Sequence, residues 1–295
     1  LAGELIPRLK EAGHRVWGLS RHGPDLTGDI TQWGLGLEQV PGLDGVIHLA
    51  ALMSFRKSDR AACIKVNSDG TDNVISFCQE QNIPRLYHVS TAYICGDAKG
   101  TWGEGDLVRR QHFRNPYEES KYWAEVSVRE AAKDPLQPLK VTIFRPSILV
   151  GRSEDGRATA FEGFYHPLRA FLTCQRFAER RLGLPPRPRV EKSLHLPPLP
   201  LNIRIRGDPQ STLNLGPVDW VAQRIADLVD GAPGTYHLVN PCPPRNQDTI
   251  RQVCRELDIQ GIRFSIRPRH DPLSDLYNRL IHPFSPYLTG EPVFT

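Results

Sequence analysis

Little in this chain would tie it to a membrane, a metal or a disulfide framework. No apolar run approaches the roughly 20 residues of a bilayer-spanning helix, and the start shows no secretory leader. The six cysteines, at 63, 78, 95, 174, 242 and 254, include no C-x-x-C pair. That points to reduced thiols in a cytoplasmic setting rather than to a zinc site or bridges. The net charge of +4 leaves room for an anionic ligand but is far from a nucleic-acid footprint. An initiator Met is also lacking. The sequence opens on LAGELIPRLKEAGH, whose Leu1, Leu5, Ile6 and Leu9 fall near one helical face. A helix at residue 1 implies that something in front of it is missing or unrecorded. The 295 residues, 39% apolar and 24% charged, are enough for one large domain or for a core with a smaller lobe.

The patterning alternates strand and helix. Residues 14–21 alternate like a strand, and 45–51 form a short apolar run suited to a strand buried on both faces. Residues 69–81 read as a helix, 85–93 as a strand, 117–132 as a helix and 139–147 as a strand stopped by Pro146. This order predicts an α/β fold with a parallel sheet covered by helices on both sides. The texture changes past 151. Residues 160–182 read as a helix carrying Arg169, Arg176, Arg180 and Arg181, and 184–200 hold six prolines and read as an extended excursion or lid. Helices are expected at 218–230 and 247–258, strands at 234–240 and 262–268, and a short helix and a Pro-rich end over 272–295.

The chemistry concentrates in a few places. Tyr117 and Lys121, in NPYEESKYWAE, are four residues apart and share a helical face. A phenol titrates near 10, too high for easy acid-base work, and an ammonium one turn away favours the phenolate. Such a tyrosine can give a proton to a carbonyl oxygen or take one from an alcohol. Thr91 or Ser90, at the end of a nearby strand, can orient the same oxygen. The plain alternative makes Tyr117 a half-buried helix residue, Lys121 a solvated one and Ser90–Thr91 a strand end. His48, His88 and His112 have no partner at metal-ligand spacing, so no metal is assigned, and His48 and His88 read as core or cofactor-adjacent groups. Trp102, in the loop 100–115, is placed at the border of a substrate mouth.

Together these motifs resemble the extended short-chain dehydrogenase/reductase superfamily. HVSTAYICG (88–96) is similar to its strand-end motif, with Thr91 at the catalytic Ser/Thr position, and Tyr117-x-x-x-Lys121 is similar to its Y-x-x-x-K pair. The resemblance implies a Rossmann-type doubly wound parallel sheet with a smaller C-terminal substrate lobe, and Thr91, Tyr117 and Lys121 as catalytic residues. It implies cofactor contacts from Leu49, Ala50 and Ala51, from Asn67 near the nicotinamide, from Asp29 and Ile30 near adenine, and from Pro146 and Ser147 beneath the nicotinamide, with Tyr117 and Lys121 on the ribose side. The superfamily's first strand and its T-G-x-x-G-x-x-G loop have no counterpart here; about a dozen residues would supply them. Ser20 and Arg21, with no acid at the end of the second strand, suit a 2′-phosphate, so NADPH is expected ahead of NADH. The implied division is a dinucleotide-binding core over 1–159, mainly substrate lobe or lid over 160–216, a return to the core over 217–261, and lobe and tail over 262–295.

Finer likeness runs to the thioester-reductase and fatty-acyl-reductase branch. IFRPSILVGRSEDGRAT, GPVDWVAQRIADL and GTYHLVNP resemble its corresponding stretches. That branch implies reduction of an acyl thioester, held on coenzyme A or a carrier protein, to an aldehyde or alcohol. Arg176, Arg180, Arg181, Arg187 and Arg189 could meet a pantetheine phosphate or an acidic acyl carrier protein; a solvated basic face is the plain alternative. A ketone or alcohol oxidoreductase, or a sugar-nucleotide epimerase or dehydratase, would share the same three residues, although Ala92 and Tyr93 beside Thr91 leave a dehydratase without its acids. A non-catalytic cofactor sensor or scaffold is the reading from another class. The substrate's identity stays open, and so does oligomeric state, a homodimer being common in the superfamily.

Overall fold

The computed structural model describes residues 1–23, 25–37, 40, 42–184, 199–265 and 271–295. They fall into two compact units, one of Leu1–Ala158, Leu215–Pro241 and Pro292–Thr295, the other of Thr159–Asn214 and Cys242–Glu291.

The first unit is built on four parallel strands in the order Thr235–Leu238, Lys140–Pro146, Arg85–Val89, Val46–His48. Strand side chains alternate, so each strand feeds two cores. Leu86, Val141 and Ile143 pack with Val74, Phe77 and Cys78 of the Gly70–Glu80 helix and Val128 of the Pro116–Ala131 helix. Tyr87, Val89 and Phe144 pack with Leu5 and Leu9 of the Ala2–Glu11 helix and Val221 and Ile225 of the Val218–Leu228 helix. Each such side chain contributes about 1.5–3 kcal/mol when fully buried, and the two layers fix the sheet between their helices. This is the parallel α/β architecture expected from the patterning.

Several local expectations are corrected. Of the strand expected over 14–21, only Leu19–Ser20 is extended and paired, with Leu26–Thr27 and not with the main sheet; alternation makes a strand competent, but a hydrogen-bonding neighbour makes it one. The strand over 139–147 does end at Pro146, as expected, and Ile148–Val150 then forms a separate strand paired with Leu215–Pro217. The loop 100–115 contains a strand, Thr101–Trp102, paired with Val293–Phe294. Trp102 is fully buried against Ile94, Cys95 and Tyr122, so it does not border a mouth. Ahead of Gly70–Glu80 lies a π-helical stretch, Ile64–Asp69.

In the second unit Phe171 of the Tyr165–Arg181 helix stacks on Tyr277 of the Pro272–Leu280 helix, ring centroids 4.3 Å apart. Leu199–Pro200 pairs with Ile259–Gln260, and Arg204–Arg206 with Arg263–Ser265. The Asn246 amide, fully buried, donates to the carbonyls of Asp208 and Leu288. These ties place 242–261 in the second unit, where the family resemblance implied a return to the core over 217–261, and the strand Val293–Phe294 keeps 292–295 in the first. Arg169, Arg176, Arg180 and Arg181 are exposed. Arg187 and Arg189, with most of the Pro-rich stretch, lie outside the described residues.

Candidate active site

The Pro116–Ala131 helix presents Tyr117 and Lys121. Its start is fixed by short-range chemistry: Asn115 Oδ1 accepts from the Glu118 N–H at 3.0 Å, and Pro116 occupies the first helical position. That puts Tyr117 in the first turn and Lys121 one turn further in. Thr91 lies just past the Arg85–Val89 strand and caps the short 3₁₀ turn Ala92–Cys95. Its Oγ1 accepts from the Tyr93 N–H at 3.2 Å and donates to the Pro146 carbonyl at 3.4 Å. Gly96 closes the turn at φ 54°, where an added Cβ would lie 2.4 Å from the His112 carbonyl, so only glycine serves there.

Lys121 is not solvated. It is fully buried, and its Nζ lies 3.4 Å from Nε2 of His88, itself fully buried on the adjoining strand. Burial pulls the ammonium down to about 8, against the pull of Glu125. His48 stands beside His88 with ring centroids 5.4 Å apart, and its Nε2 is 3.0 Å from Thr71 Oγ1. Burial, with Lys121 nearby, drives His48 down to about 3 and His88 well below its ordinary value, so both rings are neutral at physiological pH. His112 is exposed beside Asp97, 3.4 Å away.

The electrostatic expectation for Tyr117 is overturned. Burial pushes its phenol up to about 12, with Glu118 and Cys63 adding to the rise. Desolvation of the phenolate outweighs any pull from the neighbouring ammonium, whose Nζ lies against His88. Tyr117 therefore holds its proton at neutral pH.

The remaining expected residues form two groups. Pro146, with Ser147 next to it, is tied to Thr91 through its carbonyl, and Asn67 to the helix turn before Lys121 through Ser120. Asn67 sits in the π-helical stretch, fully buried, and exchanges hydrogen bonds with the Leu52 backbone (N–H to Oδ1 2.7 Å, Nδ2 to carbonyl 2.9 Å) while donating to Ser120 Oγ at 2.9 Å. Its NH₂ group is thus spent inside the protein, and it braces the helix turn between Tyr117 and Lys121. Ser147 Oγ is buried with no hydrogen-bond partner, a group suited to a ligand. Leu49 is half-buried, and Ala50 and Ala51 are exposed just past the Val46–His48 strand. The second group comprises Ser20, Arg21, Asp29 and Ile30. Ser20 and Arg21 are exposed. The Asp29 carboxylate is held below its ordinary value first by the Thr31 N–H, then by the Thr31 hydroxyl, with Arg21 and Lys65 assisting. The Ile30 side chain lies on Gly70, where a Cβ would come within 2.9 Å, and its carbonyl accepts from Asn73.

Sequence reasoning missed the ionic floor beneath these residues. Arg145 and Glu125 are both fully buried and paired at 2.7 Å, with Arg129 joining Glu125 at 3.0 Å. Arg145 also donates to the carbonyls of Gly103, Glu104 and Asp106. Burial pushes the Glu125 carboxyl up, but Arg145, Ser90 and Arg129 together hold it below its ordinary value. The available signal was helical spacing: Glu125 follows Lys121 by one turn, as Lys121 follows Tyr117.

Comparison with known proteins gives a consistent picture. The family described as male sterility protein, an NAD-binding family, matches residues 24–184. A 2-alkyl-3-oxoalkanoate reductase of Stenotrophomonas maltophilia is 30% identical over 167 residues, which are 52% of this chain and 49% of that protein. The terminal R domain from the myxalamid PKS-NRPS biosynthetic pathway is 26% identical with a TM-score of 0.61, over 81% of this chain and 55% of that one. A thiolation-reductase di-domain from an archaeal non-ribosomal peptide synthetase shares the fold, at 21% identity and a TM-score of 0.62, over 91% of this chain and 53% of that one. The chain spans about half the length of the curated relatives it matches. No helix among the described residues is long and apolar enough to cross a membrane.

Proposed function

We propose, because the chain belongs to the male-sterility family of NAD-binding proteins within the extended short-chain dehydrogenase/reductase superfamily, that it is a reductase of acyl thioesters using NADPH. The observation that carries the reading is the placement of Tyr117 and the fully buried Lys121 one turn apart on the Pro116–Ala131 helix, with the Thr91 hydroxyl just past the Arg85–Val89 strand. A proton donor at neutral pH is what reduction of a carbonyl requires.

The residues suit a nicotinamide dinucleotide. Ala50 and Ala51 are small and exposed at the strand end, Ser147 offers an unspent hydroxyl, and Ser20 with Arg21 offers an exposed hydroxyl and guanidinium, which favours the 2′-phosphorylated form. When bound, the cofactor supplies a hydride. Thr91 exchanges its long 3.4 Å bond to the Pro146 carbonyl for one to the substrate oxygen. Tyr117 gives that oxygen its proton as negative charge develops there, and Lys121 meets ribose hydroxyls and steadies the phenol's charge. With a thioester, the adduct is a hemithioacetal: its hydroxyl gives up its proton as the C=O re-forms and the C–S bond breaks, the sulfur takes up a proton and leaves as a thiol, and an aldehyde remains.

Support for the thioester comes from the likeness to the myxalamid R domain. The likeness to a 2-alkyl-3-oxoalkanoate reductase favours a second reading, reduction of a ketone. An acyl-carrier-protein partner and a homodimer belong to the same proposal. The deciding experiment is NADPH consumption on acyl thioesters, ketones and nucleotide sugars. Thioesters are expected to turn over fastest. Tyr117→Phe is expected to cost about 10²–10⁴-fold in rate while cofactor affinity holds, and Arg21→Asp to move preference toward NADH. Turnover of ketones alone selects the second reading, and equal rates in Tyr117→Phe remove the mechanism.

A further inference from the structure

His88 is a neutral, fully buried side chain that no catalytic role has claimed. A lysine ammonium only donates hydrogen bonds. The 3.4 Å contact with Lys121 Nζ therefore requires a bare Nε2 on His88, which puts the ring's proton on Nδ1. That Nδ1 is buried with no hydrogen-bond partner. A leucine would fill the position without burying an unbonded N–H, so packing alone does not account for histidine at this position.

The neighbours leave Lys121 no equivalent acceptor among the described residues. From the Val46–His48 strand, His48 is committed elsewhere. The single proton of Thr71 goes to the Asn67 carbonyl at 2.6 Å, so His48 Nε2 must donate to Thr71 Oγ1. From the Lys140–Pro146 strand, Arg145 is a cation bound to Glu125. On the lysine's own helix, Glu125 is paired with Arg145 and Arg129.

We propose that His88 is a positioning residue, whose Nε2 is the fixed acceptor that holds the Lys121 ammonium against the sheet and so sets where it meets the phenol and the ribose. This rests on the catalytic reading of Lys121, but its first test does not need activity. Protein labelled with ¹⁵N-histidine is compared with Lys121→Met, His88→Gln and His88→Leu. His88 is expected as the neutral Nδ1–H tautomer from about pH 5 to about 8, with an Nε2 resonance that moves in Lys121→Met. A proton on Nε2, or a resonance indifferent to Lys121→Met, overturns the proposal.

The second test follows Lys121 by ¹³Cε. Loss of the acceptor in His88→Leu is expected to lower its titration by at least about one unit, and His88→Gln, which keeps an acceptor, to restore most of it. The pH profile of kcat should move in the same direction, with KM for the cofactor nearly unchanged. An unmoved titration in a folded His88→Leu protein overturns the proposal; should that variant not fold, the tautomer in the unmodified protein and the His88→Gln titration decide it. Expected spectra in a protein that reduces no carbonyl would support the contact while removing the enzymatic reading; full activity with the wrong tautomer would do the reverse.

Discussion

Lys121 and Arg145 are both completely buried in the first unit, and the protein treats them differently. Arg145 meets a carboxylate and three backbone carbonyls, a full set of partners for a planar, permanently charged fork. Lys121 meets one neutral imidazole, and its charge is correspondingly weakened. A cation with every partner in place is part of the scaffold. A cation short of partners is poised for a ligand that completes them, which is why perturbed groups gather at functional sites.

The largest way to break this contrast is Glu125→Leu. It strips Arg145 of its carboxylate and is expected to cost about 3–5 kcal/mol in denaturant unfolding; a cost near zero would mean that the carbonyls alone hold the guanidinium. Next comes acid. His48 titrates at about 3 in the folded protein against 6.5 free, so the unfolded chain binds more protons between those values. Stability is expected to fall as pH drops through that window, by about 1.4 kcal/mol per pH unit for each histidine held neutral. A flat urea midpoint there would mean that the rings are charged or exposed. The alkaline side sharpens the contrast further. Lys121 titrates at about 8 against 10.5 free, so stability is expected to rise with pH between those values, a slope that Lys121→Met removes. The smallest effect is on overall stability in Lys121→Met at neutral pH, where losing a poorly compensated buried charge is expected to be neutral or slightly stabilising even as turnover falls.

Much of the fold was legible because a parallel sheet buried on both faces leaves apolar runs between helical periods, as at 45–51 and 85–93. The failures came where structure depends on a partner. Residues 14–21 alternate correctly, yet only Leu19–Ser20 pairs; Thr101–Trp102 is a strand because Val293–Phe294 lies beside it, 192 positions along by register from Thr101 to Val293. At the site, the spacing of Tyr117 and Lys121 was readable, but the direction of the phenol's shift was not, since desolvation depends on what covers a side chain. His88 was recognised as buried; its contact with Lys121 could have been anticipated from alternation, since Leu86 and His88 share a strand face and Leu86 packs in the same cluster as Val128 of the lysine's helix.

The π-helical stretch Ile64–Asp69 has its own consequence. A π turn holds one residue more than an α turn. Excising a single residue there would let ordinary α winding resume with the flanking turns still in phase, because the surplus residue is taken up inside the π turn itself. Asn67, drawn into the tightened turn, would lose the bulged position from which it reaches Leu52 and Ser120 while its helix stayed intact. The extra residue acts as a local wedge, and a one-codon deletion is expected to undo the contacts of Asn67 without unfolding the protein around it.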